Sequence, residues 1–140
     1  MRHPLHPALV HFPVATWSLA SLADAGALIV GEPAWRLAGI AMAVGTVMAL
    51  PAMALGFVDF LKIPAGSAAE RDARRHMAWV SAAWCAYAAS LLLRLDGTSL
   101  IAPGVASLCL GAAGFVALCV AGWLGGKLVY VHGVNVHRAR

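Results

Sequence analysis

The chain has 140 residues, of which 61% are hydrophobic and only 11% are charged, and its mean hydropathy is +0.80. A soluble domain typically carries about 25% charged residues, and one of this length has no interior large enough for so much apolar surface. The composition therefore excludes an ordinary soluble domain and predicts a membrane protein. The formal net charge of +4 forms no continuous basic stripe, which argues against a nucleic-acid partner.

Four intervals of the sequence contain no Asp, Glu, Lys or Arg: residues 12–23, 37–58, 77–93 and 97–126. A membrane-spanning helix needs roughly 20 mainly apolar residues. We therefore predict helices over residues 8–30, 35–60, 74–95 and 104–131. The predicted fold class is all-α, an integral membrane four-helix bundle in which residues 1–140 form one domain and both termini lie on the same side.

The first predicted helix carries three marked polar residues. His6 and His11 lie at its start and point about 140° apart on an ideal helix, so they are not expected to hold one ion from the same face. Asp24 lies deep in the helix, toward its other end. Because Arg36 and Arg94 belong to that same end, we predict a structural ion pair between Asp24 and one of them.

The second and third predicted helices meet at a turn around residues 64–67. Asp59 lies at the end of the second helix, and Arg75, His76 and Trp79 lie at the start of the third. In an antiparallel bundle these residues come to the same end as His6 and His11.

The fourth predicted helix is rich in small residues. Gly122 and Gly126 form a small-xxx-small pair, which lets helix backbones approach and favours a compact bundle or a homodimer. His132 ends this helix, and Gly133 is the predicted C-cap. The cysteines lie in apolar stretches without CxxC spacing and are predicted to be small buried side chains; they are Cys85, Cys109 and Cys119.

Basic residues divide unequally between the two ends of the predicted bundle. We call the end that holds both termini and the second loop face A, and the opposite end face B. Face B has Arg36 and Arg94. Face A has the other eight basic residues: Arg2, Lys62, Arg71, Arg74, Arg75, Lys127, Arg138 and Arg140. The positive-inside rule then predicts that face A and both termini are cytoplasmic, as in a bacterial inner-membrane protein.

All six histidines are predicted to lie at face A: His3, His6, His11, His76, His132 and His137. Haem iron takes one axial imidazole from each side of its plane. Four of the six, His6, His11, His76 and His132, start or end helices and are the candidate ligands, with Asp59 as the acceptor that fixes a ring tautomer. Phe12 and Trp79 are candidates to line the haem ring.

Arg75 is the candidate partner of the haem propionates. The sequence has no CxxCH motif, so any haem would be held without a covalent bond. The first function hypothesis is therefore a b-type cytochrome-like protein that exchanges electrons with quinone or with a partner cytochrome.

Two other functions fit the same residues. The four histidines could hold a non-haem iron, copper or zinc ion. Alternatively, the histidines cap helix ends at the membrane boundary, and the protein is a cofactor-free assembly subunit of a respiratory complex. The sequence assigns no catalytic residue and leaves open whether the protein is an enzyme.

Two segments resemble the signatures of a bacterial family of predicted membrane proteins, domain of unknown function 2231. Residues 6–13, HPALVHFP, are similar to its HPxLVHFP motif, and residues 125–134, GGKLVYVHGV, are similar to its GGxLVYxHGV motif. Asn135 stands where similar sequences more often carry glycine. The resemblance implies a four-helix fold. It also implies a redox context, because similar domains are found joined to c-type cytochrome or Rieske-like modules.

Overall fold

A computed structural model describes residues 5–136 of the chain and confirms an all-helical bundle. Its elements are α1 (Leu5–Val30), α2 (Glu32–Phe60), α3 (Ala68–Leu92), β1 (Leu95–Asp96), β2 (Ser99–Leu100) and α4 (Val105–Tyr130). The two short strands pair antiparallel. His3 and His137 lie outside the described residues, as do Arg2, Arg138 and Arg140.

The third helix differs most from its predicted bounds, since it begins at residue 68 rather than 74. The Ser67 hydroxyl caps it by accepting the Glu70 N–H at 3.0 Å, and Glu70 accepts from the Arg74 guanidinium at 2.5 Å. The prediction was wrong because it placed the start of the helix only three residues before the charge-free interval. A helix satisfies its own backbone and continues into water beyond the membrane boundary.

The other differences in helix bounds are smaller. α1 begins at residue 5 rather than 8 and α2 at residue 32 rather than 35. Pro33 lies in the first turn of α2, where the missing N–H of proline removes no hydrogen bond. α3 ends at residue 92 instead of 95, because β1 begins at residue 95. α4 occupies residues 105–130 instead of 104–131.

The outer surface of the bundle is apolar, as a lipid-facing surface should be. Leu28 is 84% exposed and Ile29 is 91% exposed, whereas soluble monomers rarely expose contiguous apolar patches of this kind. Three helices, α1, α2 and α4, are long and apolar enough to cross a membrane. α3 falls short of that standard because its first turns carry charged residues, although residues 77–93 carry none.

The cysteines lie on this outer surface, so the prediction that they are buried was wrong. Cys85, Cys109 and Cys119 are all exposed on the helices. The apolar sequence around them was a correct sign of a hydrophobic environment. In a membrane protein that environment includes lipid as well as the protein interior.

The bundle consists of two helical hairpins. α1 packs mainly on α2, which we call hairpin 1, and α3 packs mainly on α4, which we call hairpin 2. Between the hairpins, Trp17 stacks on Tyr87 with ring centroids 4.8 Å apart. Both side chains are at most 2% exposed.

Face A is the end of the bundle where α2 ends and α3 begins. His6, near the start of α1, contacts the Ala52 carbonyl in α2, and Asn135, after α4, donates to Asp59 in α2. The beginning and the end of the described chain therefore lie at the same end of the bundle. This arrangement agrees with the antiparallel topology predicted from the sequence.

Candidate functional site

His6 and His76 occupy matching places in the two hairpins. In hairpin 1 the Nδ1 atom of His6 lies 2.8 Å from the carbonyl oxygen of Ala52. In hairpin 2 the Nδ1 atom of His76 lies 2.9 Å from the carbonyl oxygen of Ala121. Each imidazole is thus hydrogen-bonded to the backbone of the other helix in its hairpin.

A glycine lies under each of these rings. A Cβ at Gly56 would be 2.9 Å from Cε1 of His6, and a Cβ at Gly125 would be 3.2 Å from Cε1 of His76. Both distances are shorter than an ordinary carbon–carbon contact of about 3.5–4.0 Å. The absence of a side chain at these positions is what lets the imidazoles lie against α2 and α4.

The match between the hairpins extends into the core. Trp17 lies against Gly45, and Tyr87 lies against Gly114, at 2.6 and 3.0 Å from the position a Cβ would take. The first helices match with a 70-residue offset, and the second helices match with a 69-residue offset. The equivalent pairs are His6 and His76, Trp17 and Tyr87, Asp24 and Arg94, Gly45 and Gly114, Ala52 and Ala121, and Gly56 and Gly125.

This internal repeat was missed in the sequence analysis. A signal was present, since a histidine is followed after 11 residues by a large aromatic residue and after 7 more by a charged residue in both α1 and α3. Few identities accompany that spacing, and the charges at its third position are opposite. Because α1 and α3 both run from face A to face B, the hairpins are related as parallel repeats about an axis along the bundle.

The matching histidines lie at the same end of the bundle, one near the start of α1 and one in the first turns of α3, and both side chains are half-buried. Since a carbonyl oxygen can only accept a hydrogen bond, each Nδ1 must carry the proton. In the neutral ring Nε2 then keeps its lone pair and is the nitrogen available to a ligand.

Other predicted site residues point to the surroundings of the bundle. His11 is exposed, which agrees with the prediction that it and His6 face different directions. Phe12 is 52% exposed and Trp79 is 41% exposed. The Arg75 side chain is 70% exposed and lies 3.7 Å from Asp72.

His132 contacts the carboxylate of Asp72, a residue that was not predicted to belong to the site. Its Nε2 lies 2.8 Å from Oδ2 of Asp72, which also accepts from Nζ of Lys127 at 2.8 Å. Asp72 is only 6% exposed. It lies in the charged first turns of α3, and Lys127 and then His132 lower its pKa from 3.8 to about 2.

Asp59, the predicted partner of a histidine, instead holds two other groups. Its carboxylate accepts from Nζ of Lys62 at 2.6 Å and from Nδ2 of Asn135 at 2.9 Å.

Asp72 could have been recognised in the sequence as a candidate site residue. It precedes His76 by one helical turn and therefore shares a face of α3 with it.

The segment after α4 folds back over face A. Gly133 has a φ of 65°, as its predicted capping role requires, and Asn135 has a φ of 59°. Asparagine adopts this left-handed conformation more readily than most residues, which explains how it replaces the glycine of similar sequences. Residues 132–135 and the α2–α3 loop enclose a groove of about 250 Å³.

Face B is closed by a buried ion pair, which confirms the prediction for Asp24. The Arg94 guanidinium donates from Nη1 and Nη2 to the two oxygens of Asp24, each at 2.6 Å, and from Nε to the Ser107 hydroxyl at 2.7 Å. Arg94 is fully buried. Arg36, the other candidate, pairs with Glu32 on the surface.

The four candidate histidines are not gathered around one point. Within residues 5–136 no three His, Cys, Asp or Glu side chains converge as a group that could hold a metal ion. The arrangement instead separates a His6–His76 pair, an Asp72–His132 pair and an outward-facing His11.

Comparison with known proteins gives one match. Residues 2–138 match the family described as "Predicted membrane protein (DUF2231)". The chain belongs to this family. No curated protein and no solved structure matches the chain.

The two segments that resemble the family's signatures contact the two middle helices of the bundle. His6 belongs to the first segment, residues 6–13, and contacts α2. Gly125 and His132 belong to the second segment, residues 125–134, and contact His76 and Asp72 of α3. Each signature of this membrane protein family therefore supplies one part of a His–Gly contact at face A.

Proposed function

We propose that this protein is a membrane b-type cytochrome-like protein that binds one haem b through His6 and His76 and transfers electrons. One observation carries the proposal. Two histidines at the same end of the bundle, one from each repeated hairpin, both have Nδ1 hydrogen-bonded to a backbone carbonyl within 2.9 Å. In the neutral rings this arrangement leaves the Nε2 lone pair of each histidine for a ligand.

The hydrogen bonds are of the kind that axial histidines require. A metal-binding imidazole usually donates its other N–H to a carbonyl or carboxylate, which fixes the tautomer and the ring orientation. Haem b supplies an iron that accepts two such nitrogens, one from each side, and cycles between two oxidation states. The glycines at positions 56 and 125 keep each imidazole close against the neighbouring helix and so limit its rotation.

The other histidines have environments less suited to axial ligation. Nε2 of His132 lies against Asp72, and His11 faces away from the bundle. A non-haem metal ion needs three or four protein ligands, whereas the His6–His76 pair offers two. We therefore assign ligation to His6 and His76 and give His132 a role in holding the segment after α4.

The proposal includes a setting and a partner. We infer a bacterial cytoplasmic membrane, with face A in the cytoplasm, because eight of the ten Lys and Arg residues belong to face A. The electron partner would be a quinone or a cytochrome that reaches haem from that side. Arg74 and Arg75 are exposed there and are available to carboxylates.

An optical spectrum tests the proposal. The full-length protein, produced with an adequate haem supply and purified in detergent, should show a low-spin spectrum with sharp α and β bands on reduction by dithionite. His6→Ala and His76→Ala should each convert this spectrum to high-spin or abolish it, because one axial ligand is lost. His11→Ala is the matched control and should leave the bands unchanged.

Two results would count against haem ligation by His6 and His76. One is a colourless wild-type protein whose haem content stays below one tenth per chain, and a cofactor-free assembly subunit would then be the better description of the protein. The other is a bound haem whose bands survive in the His6→Ala and His76→Ala variants, which would mean that other residues ligate the iron.

A further inference from the structure

Asp24 and Arg94 are equivalent positions of the two hairpins, yet they carry opposite charges. They meet each other across the boundary between the hairpins, with both N–O distances at 2.6 Å. We infer that this charge pair determines which hairpins can pack together. Hairpin 1 then packs against hairpin 2 and does not pack against a second copy of hairpin 1. The surface concerned is the boundary between the hairpins, where α3 packs on α2 and α4 packs on α1.

Several other positions on this surface are alike in the two hairpins. The Trp17–Tyr87 stack joins two aromatic rings at equivalent positions, and either ring could stack on a copy of itself. His6 and His76 are identical residues. Gly45 and Gly114 open the same space beneath the aromatic rings. At these positions, shape would therefore allow hairpin 1 to pair with hairpin 1.

Charge removes that possibility. Two copies of hairpin 1 would oppose Asp24 to Asp24, and two copies of hairpin 2 would oppose Arg94 to Arg94. Like charges in an enclosed site cannot both stay ionised without a large cost, and a lone charge within the membrane is also unfavourable. Discrimination between similar partners commonly depends on such repulsion in the wrong complex.

The correct pair has full hydrogen bonding, which makes the difference between right and wrong pairing large. Arg94 is fully buried and donates to Ser107 as well as to Asp24. Ser90 donates in turn to the Ser107 carbonyl at 2.8 Å. Within residues 5–136 no buried side-chain nitrogen or oxygen lacks a partner. A pairing that removed either charge would leave this network incomplete.

Charge reversal in the full-length chain tests the inference. Asp24→Arg produces a chain with arginine at both positions, and Arg94→Asp produces a chain with aspartate at both positions. Each variant expressed alone should give at least ten-fold less monodisperse monomer than wild type. Co-expressed with different affinity tags, the two variants should yield a one-to-one complex that carries both tags, because each chain then offers the charge that the other needs.

Two further samples complete the test. Co-expressed wild-type chains with different tags should not co-purify, since each chain satisfies its own pair. The double variant D24R/R94D should regain most of the monomer. The inference is wrong if D24R alone accumulates as monomer at the wild-type level, or if the co-expressed variants form no complex. These readouts require no haem, so they are independent of the spectrum described above.

Discussion

A backbone carbonyl can accept a hydrogen bond but cannot donate one, and this fixes the protonation of His6 and His76. Each Nδ1 must hold the proton, so in the neutral ring each Nε2 keeps its lone pair. The close approach of the rings to α2 and α4 depends on the glycines beneath them. At the scale of single residues, the candidate site is therefore defined as much by Gly56 and Gly125 as by the histidines.

Adding a methyl group at either glycine should disturb the site. Gly56→Ala places a Cβ 2.9 Å from Cε1 of His6, and Gly125→Ala places one 3.2 Å from Cε1 of His76. We expect each change to lower the free energy of unfolding by about 1–3 kcal/mol, as overpacking does, and to weaken any axial ligation. Thermal unfolding in detergent measures the first effect, and the optical spectrum measures the second.

The control for these variants is Gly122→Ala in α4. A Cβ there meets nothing within 4 Å, so alanine should be neutral or should stabilise the helix by about 0.5–1 kcal/mol. If Gly56→Ala and Gly125→Ala behaved like this control, the imidazoles would not be packed against the glycines.

At the scale of elements, α3 differs from the other helices because its first turns are charged. This part of the helix joins α4 and the segment after it, since Asp72 accepts from both Lys127 and His132. The same helix continues into the charge-free residues 77–93. α3 therefore has charged first turns, which contact α4 and the segment after it, followed by an apolar part at residues 77–93.

Asp72→Asn should loosen the segment after α4. The neutral amide would weaken the contacts to Lys127 and His132, so residues 131–136 should become more sensitive to limited proteolysis at pH 7. Asp96→Asn, in the exposed β1–β2 hairpin, is the matched control and should change little. Equal cleavage in both variants would mean that Asp72 does not hold the segment.

The effect of Asp72 should also depend on pH. Its pKa is lowered to about 2 in the folded protein from an ordinary value of 3.8. A depressed pKa means that the stabilising contribution is present above 3.8 and is lost as the pH falls from there through about 2. The difference in melting temperature between wild type and Asp72→Asn should therefore shrink across this range. A difference that stayed constant from pH 5 to pH 2 would contradict the assignment.

For the whole molecule, the main asymmetry is between face A and face B. Among residues 5–136, face A holds the four histidines, five of the seven Lys and Arg residues and an open groove, whereas face B contains the buried Asp24–Arg94 pair. Any exchange of electrons with a partner should therefore take place at face A.

Topology reporters should reveal this asymmetry in the membrane. A reporter fused after Arg140 should be cytoplasmic, and one inserted at Gly97 in the β1–β2 turn should be on the opposite side, because basic residues favour the cytoplasm. Reporters on the same side would mean an even number of membrane crossings between them, which would contradict the single crossing by α4. Opposite sides with Arg140 outside would keep the bundle and reverse its orientation.

The sequence alone determined the membrane class, the number of helices and the end of the bundle to which the histidines belong. These properties depend on the length of the apolar segments and on the alternating direction of successive helices. Both can be read from the sequence without knowing how the helices pack. Asp24 could also be matched with Arg94 as one of two candidates, because a buried charge requires an opposite charge at the same depth.

Only the tertiary structure decided what each histidine contacts. The sequence offered four histidines as equals, whereas packing separates His6 and His76 from His132, which contacts Asp72, and from the outward-facing His11. The repeat of the two hairpins likewise became visible only through Gly56 and Gly125 and the Trp17–Tyr87 stack. These relations join residues 45–70 positions apart, and the rotation of each helix about its axis, which selects them, is set by packing against its neighbours rather than by composition.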